Sequence, residues 1–245
     1  MKQGIYIVKE NTPLSPHMSR LRLMGDSTAI ERPGQFVSLA LPGFFLRRPF
    51  SVCDWDASGV QLVYEQVGKG TEAMRALQAG DTLDVLTGLG NGFALERAGA
   101  SPLLVGGGSG VSPMLGLARR LLARGVKPSV ILGFGTESDV ILREDFRLLG
   151  LVPVITTLDG SFGLRGLVTD AMGDLEPSFF YACGPEAMLR AISEKCVADG
   201  QLSFDARMGC GFGVCMGCTR MTKSGPKRVC RDGPVFDKEE IVWED

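Results

Sequence analysis

The chain has 245 residues, of which 44% are hydrophobic and 22% charged, and its formal net charge is -2. This composition indicates a globular protein with room for two modest domains, and the near-neutral charge argues against nucleic acid or an acidic membrane surface as a partner. No apolar run is long enough to span a bilayer, and the residues after Met1 lack the apolar core of a signal peptide. We therefore expect a cytoplasmic protein.

The first region, residues 1–97, has the pattern of short β-strands. Apolar and polar side chains alternate in residues 18–23 and 35–41, which is the period of a half-buried strand. Residues 61–65 and 82–86 have the same character, and turns rich in glycine and proline separate these segments. The pattern predicts a small antiparallel β-barrel.

Two segments of this barrel region have the side chains of an anion site. The first is Arg48-Pro49-Phe50-Ser51, where a guanidinium and a hydroxyl can hold a pyrophosphate. In the second, Gly70-Thr71 precedes a predicted short helix at residues 72–77, whose first amides can bind an anion. Alone, each segment is usually a solvated edge or a turn. Two separated anion sites in one barrel suit the pyrophosphate of FAD better than the single phosphate of FMN.

The second region, residues 98–200, alternates buried strands with helices. Continuous apolar runs at 103–105, 130–132, 152–155 and 179–182 predict strands that are covered on both faces. Helical segments separate these runs. The region therefore predicts a parallel sheet of an α/β nucleotide-binding domain.

A glycine-rich turn joins the first of these strands to a helix, where helix N-terminal amides commonly meet a nucleotide pyrophosphate. We expect Ser112 to be the N-cap of that helix and Pro113 its first residue. Position 113 departs from the strict G-x-G-x-x-G fingerprint, and turns of this kind can also be purely structural. The candidate nucleotide-binding residues are Gly106, Gly107, Gly108, Gly110 and Pro113.

Cys183-Gly184-Pro185 follows a later strand of the same region. Ligands of open α/β sheets bind at the carboxyl ends of the strands, which is where Cys183 is expected. The alternative is a small buried cysteine that fills space, and this interpretation suits Cys53 and Cys196 better because no motif surrounds them.

Residues 133–139, after the second strand of the nucleotide region, contain no arginine or lysine. A 2′-phosphate would need such a cation, whereas Glu137 or Asp139 would repel the phosphate and accept ribose hydroxyls. The stretch predicts a preference for NAD over NADP, although Arg143 lies close in sequence.

The third region, residues 201–245, holds four of the seven cysteines in the spacing Cys210-x4-Cys215-x2-Cys218-x11-Cys230. Plant-type ferredoxins use C-x4-C-x2-C and a distant fourth cysteine to bind a [2Fe–2S] cluster. Glycines alternate with the cysteines, and a hairpin over 219–229 would return the last cysteine to the other three. A structural zinc site and unliganded cysteines are the two alternatives, and the x4 gap fits zinc poorly.

In their order along the chain, these motifs resemble those of the ferredoxin–NADP reductase superfamily, and the cysteine segment makes the chain similar to the electron transfer subunits of dihydroorotate dehydrogenase B. The resemblance implies an FAD barrel at 1–97, an NAD domain at 98–200 and a [2Fe–2S] segment at 201–245. Phe50 stands where the superfamily usually has tyrosine, and Glu65 stands where we expect a neutral or basic residue. The implied FAD contacts are Arg48, Pro49, Phe50, Ser51, Val63, Tyr64, Glu65, Gly70 and Thr71.

Further roles follow from the same resemblance. NAD would bind at Gly106, Gly107, Gly108, Gly110, Pro113, Gly184 and Pro185, with Cys183 as the catalytic residue against the nicotinamide. Electrons would pass from dihydroorotate through the FMN of a partner catalytic subunit, the cluster and FAD to NAD+, in an assembly with two copies of each chain.

The partner is expected to dock on the cysteine loop 209–217, where Phe212, Val214 and Met216 lie between the cysteines. Packing of these side chains onto the chain's own FAD domain is the alternative. Two other functions remain open at this point: an electron transfer subunit of another hydrogenase- or ferredoxin-linked complex, and a zinc-bearing binding module without redox activity.

Overall fold

A computed structural model of the chain describes residues 1–173 and 175–243. The first region forms a closed six-stranded antiparallel barrel with the strand order β1-β2-β5-β4-β3-β6. Four of its strands confirm the segments predicted from alternation. The strands are β1 Lys2–Pro13, β2 Met18–Met24, β3 Phe36–Ala40, β4 Arg48–Asp56, β5 Gly59–Glu65 and β6 Thr82–Leu89.

The alternation of side chains explains why this sheet closes. Leu21, Leu39, Leu62 and Val85 point inward from four different strands and are fully buried. Burying one apolar face of every strand on a common core gives a barrel without free edges. A short helix, α1 Lys69–Arg75, follows β5.

The second region forms a parallel sheet, as its continuous apolar runs predict. Its six strands have the order β10-β9-β8-β7-β11-β12, and all their pairings are parallel. The strands are β7 Leu103–Gly107, β8 Ser129–Phe134, β9 Val154–Thr157, β10 Leu164–Arg165, β11 Phe180–Cys183 and β12 Gly200–Ser203. The helices that cover them are α2 Val111–Ala123, α3 Arg143–Leu148 and α4 Glu186–Lys195. Within the described ranges, no helix is long and apolar enough to cross a membrane.

Helix α2 begins two residues earlier than the sequence suggests, at Val111 and not at Pro113. Its N-cap is Gly110, and Ser112 lies buried inside the first turn, so the prediction of Ser112 as the N-cap was wrong. The reason is the turn Gly108–Gly110, which is itself a 3-10 helix and runs into α2 without an extended residue between them. A cap needs a non-helical backbone, and Gly110 already has helical dihedral angles of -66° and -11°.

The third region returns to the sheet of the second. Strand β12 runs across residues 200 and 201, the predicted boundary, and β15 Val235–Asp237 then pairs antiparallel with β12 as the edge of a seven-stranded sheet. Between them, β13 Thr219–Thr222 and β14 Gly225–Arg228 form the predicted hairpin. Val229 and Phe236 are buried in the same core as β7 and β11, so the cysteine segment is part of the nucleotide domain's packing.

Candidate functional site

A cleft of about 450 Å³ lies between the barrel and the carboxyl end of the parallel sheet. It brings together segments that are far apart in sequence. On the barrel side, seven residues implied as FAD contacts line it: Pro49, Phe50, Ser51, Val63, Tyr64, Glu65 and Thr71. On the sheet side, it is lined by Gly107, Gly108, Gly110, Cys183, Gly184 and Pro185, which were the candidates for the nucleotide.

Arg48 and Gly70 lie outside the cleft wall, and the structure places them against each other. A Cβ at Gly70 would lie 2.8 Å from Nε of Arg48, so glycine lets the guanidinium approach this turn closely. That guanidinium lies 5.0 Å over the ring of Phe44 and donates to the carbonyl oxygen of Leu46 at 2.5 Å. The two predicted anion segments therefore adjoin at one end of the cleft.

The hydroxyl of Thr71 is occupied within its own turn. It accepts hydrogen bonds from the backbone N–H groups of Val67 at 2.9 Å and Gly68 at 3.2 Å, and it donates to the carbonyl oxygen of Gly68 at 3.1 Å. These contacts order the turn before α1 and hold Thr71 in the cleft wall.

The glycine turn after β7 packs directly on the turn after β11. A Cβ at Gly110 would lie 2.3 Å from the carbonyl oxygen of Cys183, and one at Gly107 would lie 2.5 Å from Sδ of Met188. Gly106 and Pro113 lie behind this contact: a Cβ at Gly106 would lie 2.8 Å from Cα of Val111, and Pro113 is buried in α2. Glycine is needed here because backbone meets backbone.

A second cavity of about 380 Å³ continues from the cleft along the carboxyl ends of β8 and β9. The two share Gly107, Gly108 and Pro185, so the glycine turn forms the rim of both. Both acidic candidates follow β8: Asp139 lies beside Gly135 of this cavity, where a Cβ would be 3.0 Å from its Oδ2, whereas Glu137 lines a separate pocket. A groove of this shape at the carboxyl edge of a parallel sheet fits an extended dinucleotide.

Cys183 faces the cleft as a neutral thiol. Burial, and to a lesser degree the negative charge of Asp205, raises the pKa of Cys183 to about 12. Asp205 keeps contact with solvent at the mouth of the cleft, yet burial of its carboxyl raises its pKa as well.

Several residues of the cleft were not among the site residues predicted from the sequence. They come from the ends of α4 and β12 and from the turns beside the predicted motifs: Val67, Ser109, Glu186, Leu189, Ser203, Phe204 and Asp205. The strand before them, β12, is short and has no flanking motif. The only sequence signal for Ser203 to Asp205 was their position at the carboxyl end of a strand.

The four cysteines of the third region form two pairs. The backbone N–H of Cys215 donates to Sγ of Cys210 at 3.4 Å, and that of Cys210 donates to Sγ of Cys215 at 3.5 Å. After the hairpin, the N–H of Cys230 donates to Sγ of Cys218 at 3.4 Å. Glycine surrounds the sulfurs: a Cβ at Gly209 would lie 3.2 Å from Sγ of Cys215.

This donor set fits a two-iron cluster. Burial opposes ionisation of Cys210, but the N–H groups of Cys215, Phe212 and Val214 outweigh it and lower the pKa of Cys210 to about 6. Burial and the neighbouring Cys218 raise the pKa of Cys230 to about 12. Among residues 1–173 and 175–243, no three His, Cys, Asp or Glu side chains converge as ligands of a single metal ion. Two sulfur pairs suit two irons better than one tetrahedral zinc ion.

The cysteine segment also touches the cleft through Arg220 of β13. Its guanidinium pairs with Glu186 at 2.6 Å and lies 4.0 Å over the ring of Phe204, and both of these residues line the cleft. A partly buried cation between two cleft residues joins the hairpin to the flavin and nucleotide side of the molecule.

Two family models match parts of the chain. Residues 205–242 match the iron–sulfur cluster binding domain of dihydroorotate dehydrogenase B, and residues 104–194 match the oxidoreductase NAD-binding domain. The first range contains all four cysteines of the loop and hairpin, and the second contains both turns of the nucleotide region. These matches support an iron–sulfur cluster and NAD, and they do not favour the zinc-bearing module.

Solved structures confirm the fold class of a barrel, a parallel-sheet nucleotide domain and a small cysteine segment. An NADH-dependent reduced ferredoxin-NADP oxidoreductase, studied for flavin-based electron bifurcation, is similar over 98% of this chain and 90% of that chain, with a TM-score of 0.89 and 29% identity. A ferredoxin NADP+ reductase from Neisseria gonorrhoeae, with bound FAD and NADP, has the same fold at a TM-score of 0.69 and 18% identity, covering 80% of this chain and 90% of that chain.

Closer relatives in sequence share one name. An electron transfer subunit of dihydroorotate dehydrogenase B (NAD(+)) from Bacillus caldolyticus is 45% identical over 226 residues, which is 87% of this chain and 88% of that protein. The subunit of the same name from Geobacillus sp. (strain WCH70) is 40% identical over 257 aligned positions, covering 99% of both. With this identity over most of both chains, the chain belongs to the family of electron transfer subunits of dihydroorotate dehydrogenase B.

Proposed function

We propose that this chain passes electrons from a catalytic partner subunit, which oxidises dihydroorotate, through a [2Fe–2S] cluster and FAD to NAD+. The name shared by its relatives supports the partner, the substrate and the acceptor. One observation carries the proposal: a single cleft joins the flavin segments of the barrel to the nucleotide turn, beside a segment with four cysteines. When bound, FAD supplies hydride exchange with NAD and single-electron exchange with the cluster.

On the barrel side, the chain's own residues would hold FAD. The Arg48 guanidinium, which lies against Gly70 beside the cleft, would bind the pyrophosphate by charge-assisted hydrogen bonds. Ser51 and Thr71 lie on the same wall. Phe50 and Tyr64 contact each other edge to face, with ring centroids 6.1 Å apart, and give this wall an aromatic surface for the flavin.

On the sheet side, the turns after β7 and β11 would hold NAD. Gly107, Gly108 and Gly110 present backbone N–H groups beside the start of α2, where a pyrophosphate is favoured. Gly184 and Pro185 continue the wall. The neutral thiol of Cys183 would pack against the nicotinamide without adding charge.

The four cysteines would bind the cluster as two pairs, Cys210 with Cys215 and Cys218 with Cys230. Backbone N–H groups already donate hydrogen bonds to both sulfurs of the first pair. Such donors stabilise thiolates and the negative charge of a cluster.

The partner would carry FMN and dock on the cysteine loop 209–217, with two copies of each chain in the assembly. Phe212, Val214 and Met216 are 42%, 74% and 56% exposed in this loop, which leaves apolar surface available to a partner. Exposed apolar groups beside a redox centre are what a docking surface needs. A cytoplasmic location stays a prediction; the seven cysteines are free, which fits a reducing compartment.

The docking surface is tested by Met216→Asp, with Leu148→Asp as the control on an apolar side chain of α3 that is even more exposed, at 87%. Met216 has a φ of 60°, a conformation that aspartate tolerates well. We expect Met216→Asp to slow electron transfer from dihydroorotate to NAD+ and to weaken co-purification with the partner, while NADH still reduces the chain's own FAD. Unchanged transfer and co-purification in Met216→Asp would place the docking surface elsewhere.

A further inference from the structure

Strand β4 and helix α2 both start at the cleft and meet again away from it. Pro49 to Ser51 of β4 line the cleft, and the strand ends at Asp56. Helix α2 follows Gly110 of the opposite wall and carries Arg119 and Arg120 near its end. At 1.5 Å per residue, the two arginines lie about 15 Å along the helix from that wall. Strand β4 and helix α2 therefore begin in opposite walls of the cleft and run away from it together.

The far ends of β4 and α2 are joined by an ion pair and a cation–π contact of Arg120 with Asp54 and Trp55, which we call the clamp. The Asp54 carboxylate of β4 pairs with Arg120 and, at 2.7 Å, with Nε of Arg119. Arg120 also donates to the carbonyl oxygen of Trp55 at 2.9 Å, and its guanidinium lies 3.5 Å over the Trp55 ring. The side chains of Asp54 and Arg120 are only 17% and 22% exposed, so solvent screens this pair less than a surface ion pair. A planar guanidinium is required to stack and bridge at once.

Between the clamp and the cleft, the backbones of β4 and α2 are in direct contact. The pairing of β4 with β5 shifts register between Val52 and Asp54, which leaves Cys53 as a bulge. A Cβ at Gly116 of α2 would lie 2.4 Å from the carbonyl oxygen of Cys53. A bulge bends its strand and re-aims the residues around it. This close approach leaves no space between the strand and the helix.

We propose that Arg120, held on Asp54 and Trp55, is a positioning residue that sets the separation between the two walls of the cleft. This inference rests on the proposed function, in which FAD lies on one wall and NAD on the other. In the step concerned, a hydride leaves the nicotinamide of NADH, which becomes NAD+, and the flavin accepts its proton and two electrons. Reacting atoms must lie about 3–3.5 Å apart, and a displacement of 1 Å costs about 10²-fold in rate.

A second ion pair joins the same two domains and provides the control. Arg20 of β2 donates to both carboxylate oxygens of Asp145 in α3, at 2.7 Å. The side chains of Arg20 and Asp145 are about as buried as those of Asp54 and Arg120 in the clamp. Neither β2 nor α3 contributes a residue to the cleft wall. Loss of either pair removes one interdomain contact, but only the clamp lies on elements that reach the cleft.

The test compares Arg120→Gln, Arg120→Lys and Arg20→Gln in the FAD-loaded chain. Anaerobic rapid mixing with NADH gives the limiting rate of FAD reduction and the Kd for NADH. We expect Arg120→Gln to lower the limiting rate about 10²-fold with nearly unchanged FAD content and NADH Kd. Arg120→Lys should recover part of the rate because it keeps the charge. Arg20→Gln should lower the melting temperature and leave the limiting rate unchanged.

Hydrogen exchange of the FAD-free chain supplies a readout that needs no turnover. Arg120→Gln should speed exchange at the end of β4 and in α2, whereas Arg20→Gln should not. Equal losses of rate in Arg120→Gln and Arg20→Gln, or a normal rate in Arg120→Gln at a lowered melting temperature, would overturn the proposal. If NADH did not reduce the FAD of the unaltered chain, the proposed function itself would fall, and the role of the clamp with it.

Discussion

The cysteine loop and the cleft differ in where their order comes from. The loop, residues 209–217, contains Cys210 and Cys215, exposes Val214 and Met216 to solvent, and is held by N–H···S contacts within itself. The other two cysteines, Cys218 and Cys230, are buried in the core of the parallel sheet. The cleft is built from residues between positions 49 and 205, on elements that rest on fully buried cores. A loop of this kind depends on its ligand for order, whereas the cleft depends on tertiary packing. A substitution in one site should therefore leave ligand binding at the other site intact.

The largest effect is expected from Cys215→Ser. The unaltered chain should hold about two iron atoms per protomer, the content of a [2Fe–2S] centre, and the variant close to none, because a serine hydroxyl is a poor substitute for a thiolate. Iron and sulfide analysis with the visible spectrum measures this. Cys196→Ser, a buried cysteine outside the loop, should keep its iron. FAD should remain bound in both variants; loss of FAD together with iron would show that the two sites are not independent.

Gly110→Ala should damage the cleft and spare the loop. The added Cβ would lie 2.3 Å from the carbonyl oxygen of Cys183, so the two nucleotide turns must move apart. Overpacking of this kind costs about 1–3 kcal/mol in stability, and NADH binding should weaken with it. Gly68→Ala is the control, because a Cβ there meets nothing within 4 Å. Thermal unfolding and NADH titration measure the two effects, and a wild-type NADH affinity in Gly110→Ala would contradict the role of this contact.

Arg48→Ala should weaken FAD retention by about 1.5–3 kcal/mol, the value of a hydrogen bond to a charged group. The matched control is Arg47→Ala, which loses the same charge from the neighbouring position. Arg47 pairs with Asp84 at 2.7 Å and is not part of the cleft wall. Dialysis followed by chromatography of the extracted flavin measures retention and identifies the flavin. Extraction of FMN alone, or equal retention in both variants, would refute the assignment.

The smallest effect is expected for the choice between NAD and NADP. Glu137 and Asp139 follow β8 as part of a short 3-10 helix, and Glu137 is exposed, so repulsion of a 2′-phosphate is screened by solvent. We expect about a fivefold preference for NAD(H), since charges 4 Å apart in water interact by about 1 kcal/mol and a tenfold change needs about 1.4 kcal/mol. Initial rates with both cofactors measure it. Equal catalytic efficiencies would remove these carboxylates from the site.

The local patterns of the sequence predicted most of the elements correctly. Alternation located β2, β3, β5 and β6, and continuous apolar runs located the parallel sheet, because side-chain periodicity reports directly which faces of a strand are buried. Cysteine spacing predicted the hairpin that brings Cys230 back to Cys218. The N-cap of α2 was missed because a glycine turn can itself be helical, which residue types alone do not show.

The assignment of individual residues to FAD, NAD and the cluster stays a prediction, but the structure limits it. Arg48 and Gly70 were expected as parts of two separate anion sites, and they are in contact. Gly106 and Pro113 were expected at the nucleotide and lie behind the cleft wall. A motif identifies a turn, whereas only the packing around it decides which of its residues face the ligand.

The sequence by itself determined the strands, the glycine turns and the cysteine spacing, because each depends on residues close together in the chain. Tertiary structure alone decided that Asp205 and Cys183 line the same cleft, that Arg220 joins the hairpin to Glu186, and that Arg120 of α2 clamps β4. These contacts join residues from different elements, and no periodicity or motif records such a pairing. The width of the cleft depends on how two cores pack against each other, so it is a property of the whole fold.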